Sequence, residues 1–216
     1  MEACFVVVSG HGSLEVAGQR FDRLGSRDTP FDRVAPDSVY APPGCSFGVT
    51  ASDNLELAIC RAPAEGKYPV RRIATNSMGF ETLGKGSNVR HRCHILPETE
   101  PAERLLVVEV ITPAGNWSSY PPHKHDVDDL PHESELVETY YHRMNPPQGF
   151  AFQRVYTADL SIDETMTVEN GDAVMVPKGY HPVAAAHGYD LYYLNVMAGP
   201  RRTWKFRNDP SHDWLG

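Results

Sequence analysis

Short β-type segments separated by glycine- and proline-containing turns are the feature of this sequence that most restricts its fold. The apolar run at residues 4–8 is followed by Gly10 and Gly12 and then by residues 13–16, a pattern that predicts a β-hairpin. Turns recur about every 8 to 12 residues, and no convincing amphipathic helix of three or more turns interrupts them. This spacing is typical of a sandwich or barrel, so the sequence predicts an all-β protein.

A second series of strand-like segments begins at Leu105, and each half contains a proline–glycine turn, Pro42-Pro43-Gly44 or Pro177-Lys178-Gly179. The two halves therefore resemble repeats of one small barrel. We expect an N-terminal lobe without metal at residues 1–62, a connecting segment with short strands at 63–104 and a metal-binding barrel at 105–216. Because the sequence starts directly in a strand, an incomplete first barrel is one expectation.

The composition excludes several classes of partner. A net charge of −8 argues against nucleic acid, because such binding depends on lysine and arginine neutralising phosphates. No apolar run approaches the roughly 18 residues of a membrane span, and the start lacks the basic region of a secretion signal. We therefore expect a cytoplasmic protein with no membrane partner. The four cysteines form no CxxC pair and are expected to be free thiols.

Two histidines separated by one residue, His123 and His125, suggest a metal site. Positions i and i+2 of a strand share a face, with Cβ atoms about 6.5 to 7 Å apart, so both imidazoles can reach one ion. A carboxylate from a neighbouring strand would add a third ligand, and Glu133, Glu135 and Glu138 are candidates. We favour Glu138, which begins a strand-like segment, whereas the other two belong to a polar, acidic loop.

His181 is the fourth expected ligand, because it lies two residues after the turn Pro177-Lys178-Gly179 that ends a predicted strand. A lone histidine is more often a structural residue, but the order of the whole set favours ligation. Three imidazoles and one carboxylate suit a borderline divalent ion such as zinc, manganese, iron, cobalt or nickel. Donor softness does not choose among these ions, and zinc is the first expectation.

The HxH pair with a downstream glutamate and the run Gly-Asp-x4-Pro-x-Gly-x-His resemble the signature of the cupin superfamily. That resemblance implies a bicupin, two tandem antiparallel β-barrels. Twelve residues separate His125 from Glu138, more than in most cupins, so we expect an insertion at 127–137. The longer runs NWSSYPPHKHD (116–126), ETYYHR (138–143) and GFAFQRVY (149–156) resemble the 5-deoxy-glucuronate isomerase family of bacterial myo-inositol catabolism, relatives of the uronate ketol-isomerases of pectin breakdown.

This resemblance implies conversion of 5-deoxy-D-glucuronate to 5-deoxy-2-keto-D-gluconate, an aldose–ketose isomerisation between C1 and C2. It also implies the metal ligands His123, His125, Glu138 and His181. A divalent ion at the C1 carbonyl and C2 hydroxyl oxygens would polarise the carbonyl. The base near C2 remains open: strand parity puts Tyr140 and His142 on the same face as Glu138, although core packing is an equal alternative for Tyr140.

The substrate carboxylate should meet a cation, preferably an arginine with its forked donors. Parity places Lys124 and Arg143 opposite the ligand face, which favours Arg154 or Arg90 unless a neighbouring subunit contributes. Gln153 could bind a sugar hydroxyl.

Two other functions stay open. A cupin dioxygenase would need Fe(II) and O₂, and the long HxH-to-Glu spacing counts against it. A non-enzymatic sugar-binding cupin usually loses ligands, whereas all four are present here. Exposed β edges in tandem barrels commonly pair, so a homo-oligomer is one expectation.

Overall fold

The computed structural model describes residues 1–215, and within them the regular structure is almost entirely β. Helical structure there is limited to short 3₁₀ segments at Pro30–Asp32, Thr75–Ser77, Gly86–Asn88 and Pro210–Leu215. None of these helices has the length or hydropathy needed to cross a bilayer. The prediction of an all-β protein is confirmed.

The strands, numbered in chain order, are β1 (Glu2–Ser9), β2 (Gly12–Val16), β3 (Gln19–Leu24), β4 (Ser38–Ala41), β5 (Phe47–Ala51), β6 (Glu56–Ala62), β7 (Arg71–Ile73), β8 (Phe80–Leu83), β9 (Arg90–Leu96), β10 (Leu105–Thr112), β11 (Trp117–Ser118), β12 (His123–Lys124), β13 (Asp126–Asp129), β14 (Glu133–Glu135), β15 (Val137–Asn145), β16 (Phe150–Tyr156), β17 (Asp163–Glu169), β18 (Ala173–Val176), β19 (Val183–Ala185), β20 (Asp190–Ala198) and β21 (Arg207–Asn208).

The first compact unit comprises residues 1–80 and 93–108. It contains a four-stranded sheet in the order β6-β1-β4-β7 and a three-stranded sheet in the order β3-β2-β5. Side chains from both sheets, including Phe5, Leu14 and Val39, form one apolar core. The predicted hairpin between β1 and β2 is wrong, because the two strands belong to different sheets. Strand β1 pairs on both sides, with β4 and β6, and as a central strand it is buried along nearly its whole length.

The second compact unit comprises residues 81–92 and the described residues from 109 onward. Strands β18, β15 and β20, which are consecutive in a six-stranded sheet of order β18-β15-β20-β10-β9-β8, fall wholly within it, as does a four-stranded sheet in the order β11-β19-β16-β17. The expected connecting segment, 63–104, is thus shared: residues 81–92 fall in the second unit and the remainder in the first. The candidate site residues all fall in the second unit.

The acidic segment before Glu138 is not the expected loop. Strands β13 and β14 pair antiparallel, and the Glu133 side chain is buried. Its carboxylate accepts hydrogen bonds from the Lys124 ammonium at 2.7 Å and from the Asp126 backbone N–H at 2.9 Å. The acidic residues form a hairpin because a cation and a backbone donor satisfy the charge that a sequence pattern assigns to solvent.

The cysteines are free, as predicted: Cys4, Cys60 and Cys93 are buried and Cys45 is half-buried.

Candidate metal centre

Strand β15 carries the centre of the site because its alternate side chains face the interior of the second unit. Glu138, Tyr140 and His142 are all buried on one face. The strand is paired on both sides, with Glu138 opposite Met197 of β20 and Val176 of β18. Its backbone is therefore fixed by two neighbours, and the inward face predicted from parity is the face that the structure shows.

Three buried donor atoms converge beside this strand. Glu138 Oε2 lies 2.9 Å from His125 Nε2 and 3.0 Å from His181 Nε2. Beyond these contacts with one another, none of the three atoms has a hydrogen-bond partner among residues 1–215. Unpaired buried polar atoms are rare, and here all three lie within 4.8 Å of one another. The residues therefore fit a metal ion, which would satisfy all three donors at once.

Backbone carbonyls select the imidazole tautomer that such a site requires. His125 Nδ1 donates to the Leu136 carbonyl at 3.2 Å, and His181 Nδ1 donates to the Gly179 carbonyl at 2.9 Å. With the proton held on Nδ1, the lone pair of each neutral ring is on Nε2, which is the atom that faces Glu138. Metal-ligating histidines are commonly oriented in this way.

In the absence of a metal ion, protonation of the imidazoles next to Glu138 favours the ionised form of this carboxyl. Burial alone would raise the pKa of this carboxyl, but the neighbouring His181 and His125 hold the pKa well below its usual range. Conversely, burial opposes protonation of His125, whereas Glu138 raises the pKa of that imidazole. The carboxylate is thus available as an anionic ligand.

His123 lies beside these three residues without belonging to the group of donors within 4.8 Å of one another. Its ring centroid is 5.0 Å from that of His181 and 6.3 Å from that of His125, and the ring also packs on Phe206 at 4.6 Å. Burial and the two neighbouring histidines lower the pKa of His123 to about 3, so its imidazole is neutral at physiological pH. The structure brings three of the four predicted ligands together and places the fourth next to them.

A backbone turn holds His181 in position. Gly179 has φ +94°, and a Cβ there would lie 2.4 Å from the carbonyl oxygen of Tyr156. The Gly179 N–H donates to the Asp126 carboxylate at 2.7 Å. Next in the chain, Tyr180 and Tyr156 exchange two backbone hydrogen bonds of 2.7 and 2.9 Å. The turn is fixed from both sides, which determines where His181 points.

Polar side chains line the interior next to the donors. His142 Nε2 donates to Gln153 Oε1 at 3.1 Å, and both residues are fully buried. His142 Nδ1 and Gln153 Nε2 have no partner among the described residues. Burial lowers the pKa of His142 to about 4, so this imidazole is neutral at physiological pH and Nδ1 carries a lone pair. Burial and the charge of Glu138 raise the pKa of Tyr140 well above its usual range, so that phenol stays protonated.

The two candidate arginines have different surroundings. Arg90 is half-buried, donates to the Asn88 carbonyl at 3.0 Å, and is close enough to Tyr193 for the two to interact electrostatically. Arg154 follows the inward-facing Gln153 and therefore points to the outer face of β16, where it pairs with Asp163 at 2.7 Å. The structure does not bring Arg154 to the site, because adjacent strand residues face opposite sides.

Sequence reasoning missed several polar residues of this interior. Ser118 bonds to the hydroxyl of Tyr193 at 2.6 Å, and Ser119 bonds to that of Tyr140 at 2.9 Å. Asn195 was missed as well, although a single asparagine within the apolar run of β20 is a detectable signal. Its Nδ2 donates a hydrogen bond to Glu138 Oε1.

Comparison with known proteins extends the picture over the whole chain. The KduI/IolB family matches residues 1–215. A 5-deoxy-glucuronate isomerase from Geobacillus kaustophilus is 58% identical over 215 residues, which are 99% of this chain and 78% of that protein. A protein of the same name from Bacillus subtilis strain 168 is 52% identical over 99% of this chain and 79% of that protein.

Solved structures agree with this similarity. The crystal structure of an IolB-like protein from Salmonella typhimurium superposes with a TM-score of 0.96 at 53% identity, covering 99% of this chain and 81% of that one. A Bacillus subtilis oxalate decarboxylase variant superposes with a TM-score of 0.61 at 13% identity, covering 96% of this chain and 65% of that one, which shows likeness of fold only. The structural neighbours are of the cupin type. With the family match spanning residues 1–215 and relatives above 50% identity, the chain belongs to the KduI/IolB family.

Proposed function

We propose that this protein is a metal-dependent 5-deoxy-glucuronate isomerase of myo-inositol catabolism, which converts 5-deoxy-D-glucuronate to 5-deoxy-2-keto-D-gluconate. Relatives of that name are 52 to 58% identical over 99% of the chain, which supports the activity. The structural observation that carries the proposal is the convergence of three unpaired buried donors, His125 Nε2, Glu138 Oε2 and His181 Nε2. A bicupin architecture and a cytoplasmic location remain predictions.

In this proposal His125, Glu138 and His181 hold one divalent ion, and His123 completes the set by a small movement of its ring. Zinc is the first candidate, and manganese, iron, cobalt and nickel also suit this donor set. When bound, the ion supplies Lewis acidity that polarises the C1 carbonyl and the C2 hydroxyl of the sugar.

The chain itself supplies the proton-handling groups. His142 is neutral and has a free Nδ1 lone pair, so it is suited to accept the proton that leaves C2 and return it at C1. Gln153 fixes the opposite edge of that ring, and its unpaired Nε2 is a donor for a sugar hydroxyl. Tyr140 stays protonated and is suited to donate a hydrogen bond to the sugar.

Arg90 is the candidate for the substrate carboxylate. It is the predicted arginine that lies near an inward-facing residue, Tyr193, whereas Arg154 already pairs with Asp163 on the outer face. A guanidinium in a half-buried setting binds a carboxylate more strongly than it would in open solvent.

Turnover of 5-deoxy-D-glucuronate by the purified protein, followed by ¹H NMR, tests the proposal. The protein would be analysed for metal, stripped with a chelator and reloaded with each candidate ion. We expect turnover to disappear on stripping and to return with at least one ion. Glu138→Gln should lose both the bound ion and turnover, whereas the matched surface control His132→Ala, whose side chain is 69% exposed, should retain both.

Three outcomes would contradict the proposal. Undiminished turnover under chelation would refute the metal dependence. Oxygen uptake coupled to substrate loss would indicate a dioxygenase, and tight binding of the sugar acid without conversion would indicate a non-enzymatic sugar-binding cupin.

A further inference from the structure

The second carboxylate oxygen of Glu138 has a partner that the sequence motifs do not include. Asn195 of β20 is buried, and its Nδ2 donates a hydrogen bond to Glu138 Oε1. Glu138 Oε2 is the oxygen that faces His125 and His181. We propose that Asn195 is a positioning residue that occupies Oε1 and so presents Glu138 to the ion through one oxygen. This inference rests on the metal site of the proposed function but not on the reaction.

Strand pairing explains how Asn195 reaches Glu138. In the β15–β20 ladder Asn195 lies opposite Tyr140, and Met197 lies opposite Glu138. The asparagine is therefore a diagonal neighbour of the glutamate on the same inward face, a distance that a polar side chain can span. The hydrogen bond thus joins two adjacent strands at the point where the donors converge.

The identity of the side chain also fits a positioning role. Asn195 is a single amide in an otherwise apolar and aromatic strand centre, and its Oδ1 has no partner among residues 1–215. A buried amide with one unpaired atom makes the folded protein less stable than an apolar side chain of the same size would. Fold stability alone therefore does not account for asparagine at this position.

A neutral donor suits the position for an electrostatic reason. The amide must turn Nδ2 toward Glu138, because the opposite orientation would place Oδ1 against an anionic oxygen. An amide restrains the carboxylate without adding positive charge, whereas a lysine or arginine there would compete with a divalent ion for Glu138. Asn195 therefore orders the ligand while leaving its charge available.

The test compares ion binding and coordination in Asn195→Leu, Asn195→Ser and the matched control Met197→Leu. Met197 is the fully buried neighbour on the same strand and makes no such hydrogen bond to Glu138 in the structure, so its volume-conserving replacement reports on packing alone. Zinc affinity would be measured by competition with a chromophoric chelator, and coordination by the d–d absorption spectrum of the cobalt(II)-loaded protein.

We expect both Asn195 variants to bind zinc about 10 to 100 times more weakly and to show an altered cobalt spectrum, as is typical when a partner of a metal ligand is removed. Met197→Leu should match the wild type in both measurements. The serine side chain is too short to reach Glu138, so Asn195→Ser replaces Asn195→Leu in the comparison if the leucine variant does not fold. Urea unfolding of each metal-free variant checks that the loss of affinity does not follow from loss of structure.

The results also separate this inference from the proposed function. Wild-type affinity and spectrum in the Asn195 variants would overturn the positioning role while leaving the metal site intact. Weakened zinc binding in a protein that does not turn over 5-deoxy-D-glucuronate would support the positioning role and refute the isomerase. A wild-type protein that binds no divalent ion would overturn both.

Discussion

Replacement of Gly179 by alanine tests whether the backbone turn before His181 is essential to the second unit. Gly179 has φ +94°, and a Cβ at this position would lie 2.4 Å from the Tyr156 carbonyl oxygen and 2.9 Å from its carbonyl carbon. These are backbone atoms of β16 and cannot rotate away. Gly171 provides the matched control, because its φ is +95° and a Cβ there would meet nothing within 4 Å.

The two substitutions share one energetic term and differ in another. A left-handed backbone at a residue with Cβ costs about 1 to 2 kcal/mol, and this applies to both positions. At Gly179 the new Cβ must also displace the bridge in which Tyr180 and Tyr156 exchange two backbone hydrogen bonds. At about 1 kcal/mol each, their loss brings the destabilisation of Gly179→Ala to about 3 to 4 kcal/mol, against about 1 to 2 kcal/mol for Gly171→Ala.

Two measurements check this difference. Urea unfolding of the metal-free proteins, followed by circular dichroism, should place Gly179→Ala well below Gly171→Ala in stability. Zinc competition should show weaker binding for Gly179→Ala alone, because the Gly179 carbonyl accepts the hydrogen bond from His181 Nδ1. Equal stability losses in the two variants, together with unchanged zinc affinity, would refute the reasoning.

Three further predictions concern the surroundings of the site. Burial lowers the pKa of His142 from 6.5 to about 4. Between these pH values the unfolded chain binds a proton that the native chain does not. The free energy of unfolding should therefore fall as pH decreases from about 6.5 to about 4. His142→Gln should reduce the slope of unfolding free energy against pH in that window, leaving the contribution of His123, whose pKa is lowered to about 3, and an unchanged slope would contradict the assignment. Arg90→Ala should raise the KM for 5-deoxy-D-glucuronate by about tenfold or more, because it removes a charge-assisted hydrogen bond to the substrate carboxylate. Arg154→Ala should leave KM unchanged. The reverse result would place the substrate carboxylate on the other side of β16. Asp126→Ala removes the acceptor of the Gly179 N–H and should weaken zinc binding about 10-fold or more in the competition assay, and wild-type affinity would show that the turn needs no such support.

The sequence predicted the inward face of β15 because side-chain alternation is a property of a single strand. Glu138, Tyr140 and His142 are two residues apart, so they share a face whatever the neighbouring strands are. The same rule, applied to Gln153 and Arg154, puts one inside and the other outside, yet the sequence alone does not say which side is the interior. The structure shows Gln153 buried and Arg154 paired with Asp163, so only one of these two predicted substrate contacts lies near the site.

The sequence pattern did not predict which segments become neighbours in the folded protein. The opening segments were predicted as a hairpin from their closeness in the chain, but β1 finds its partners in β4 and β6. The acidic segment was predicted as a loop from its charge, but Lys124 neutralises Glu133 and allows a hairpin to form. In both places a neighbour in the folded protein, a pairing strand for β1 and an opposite charge for Glu133, determined the local structure.

By itself, the sequence predicted the β class, the free cysteines and four candidate metal ligands, three of which the structure brings together, because periodicity, turn residues and motif spacing are local properties. Only the tertiary structure decided how the donors are presented. His125 and His181 expose Nε2 because carbonyls of Leu136 and Gly179 hold their Nδ1 protons. Glu138 turns Oε2 toward them because Asn195, 57 residues further along the chain, holds Oε1. These orientations depend on which strands become neighbours, and that choice is made by burial of the whole chain rather than by any one segment.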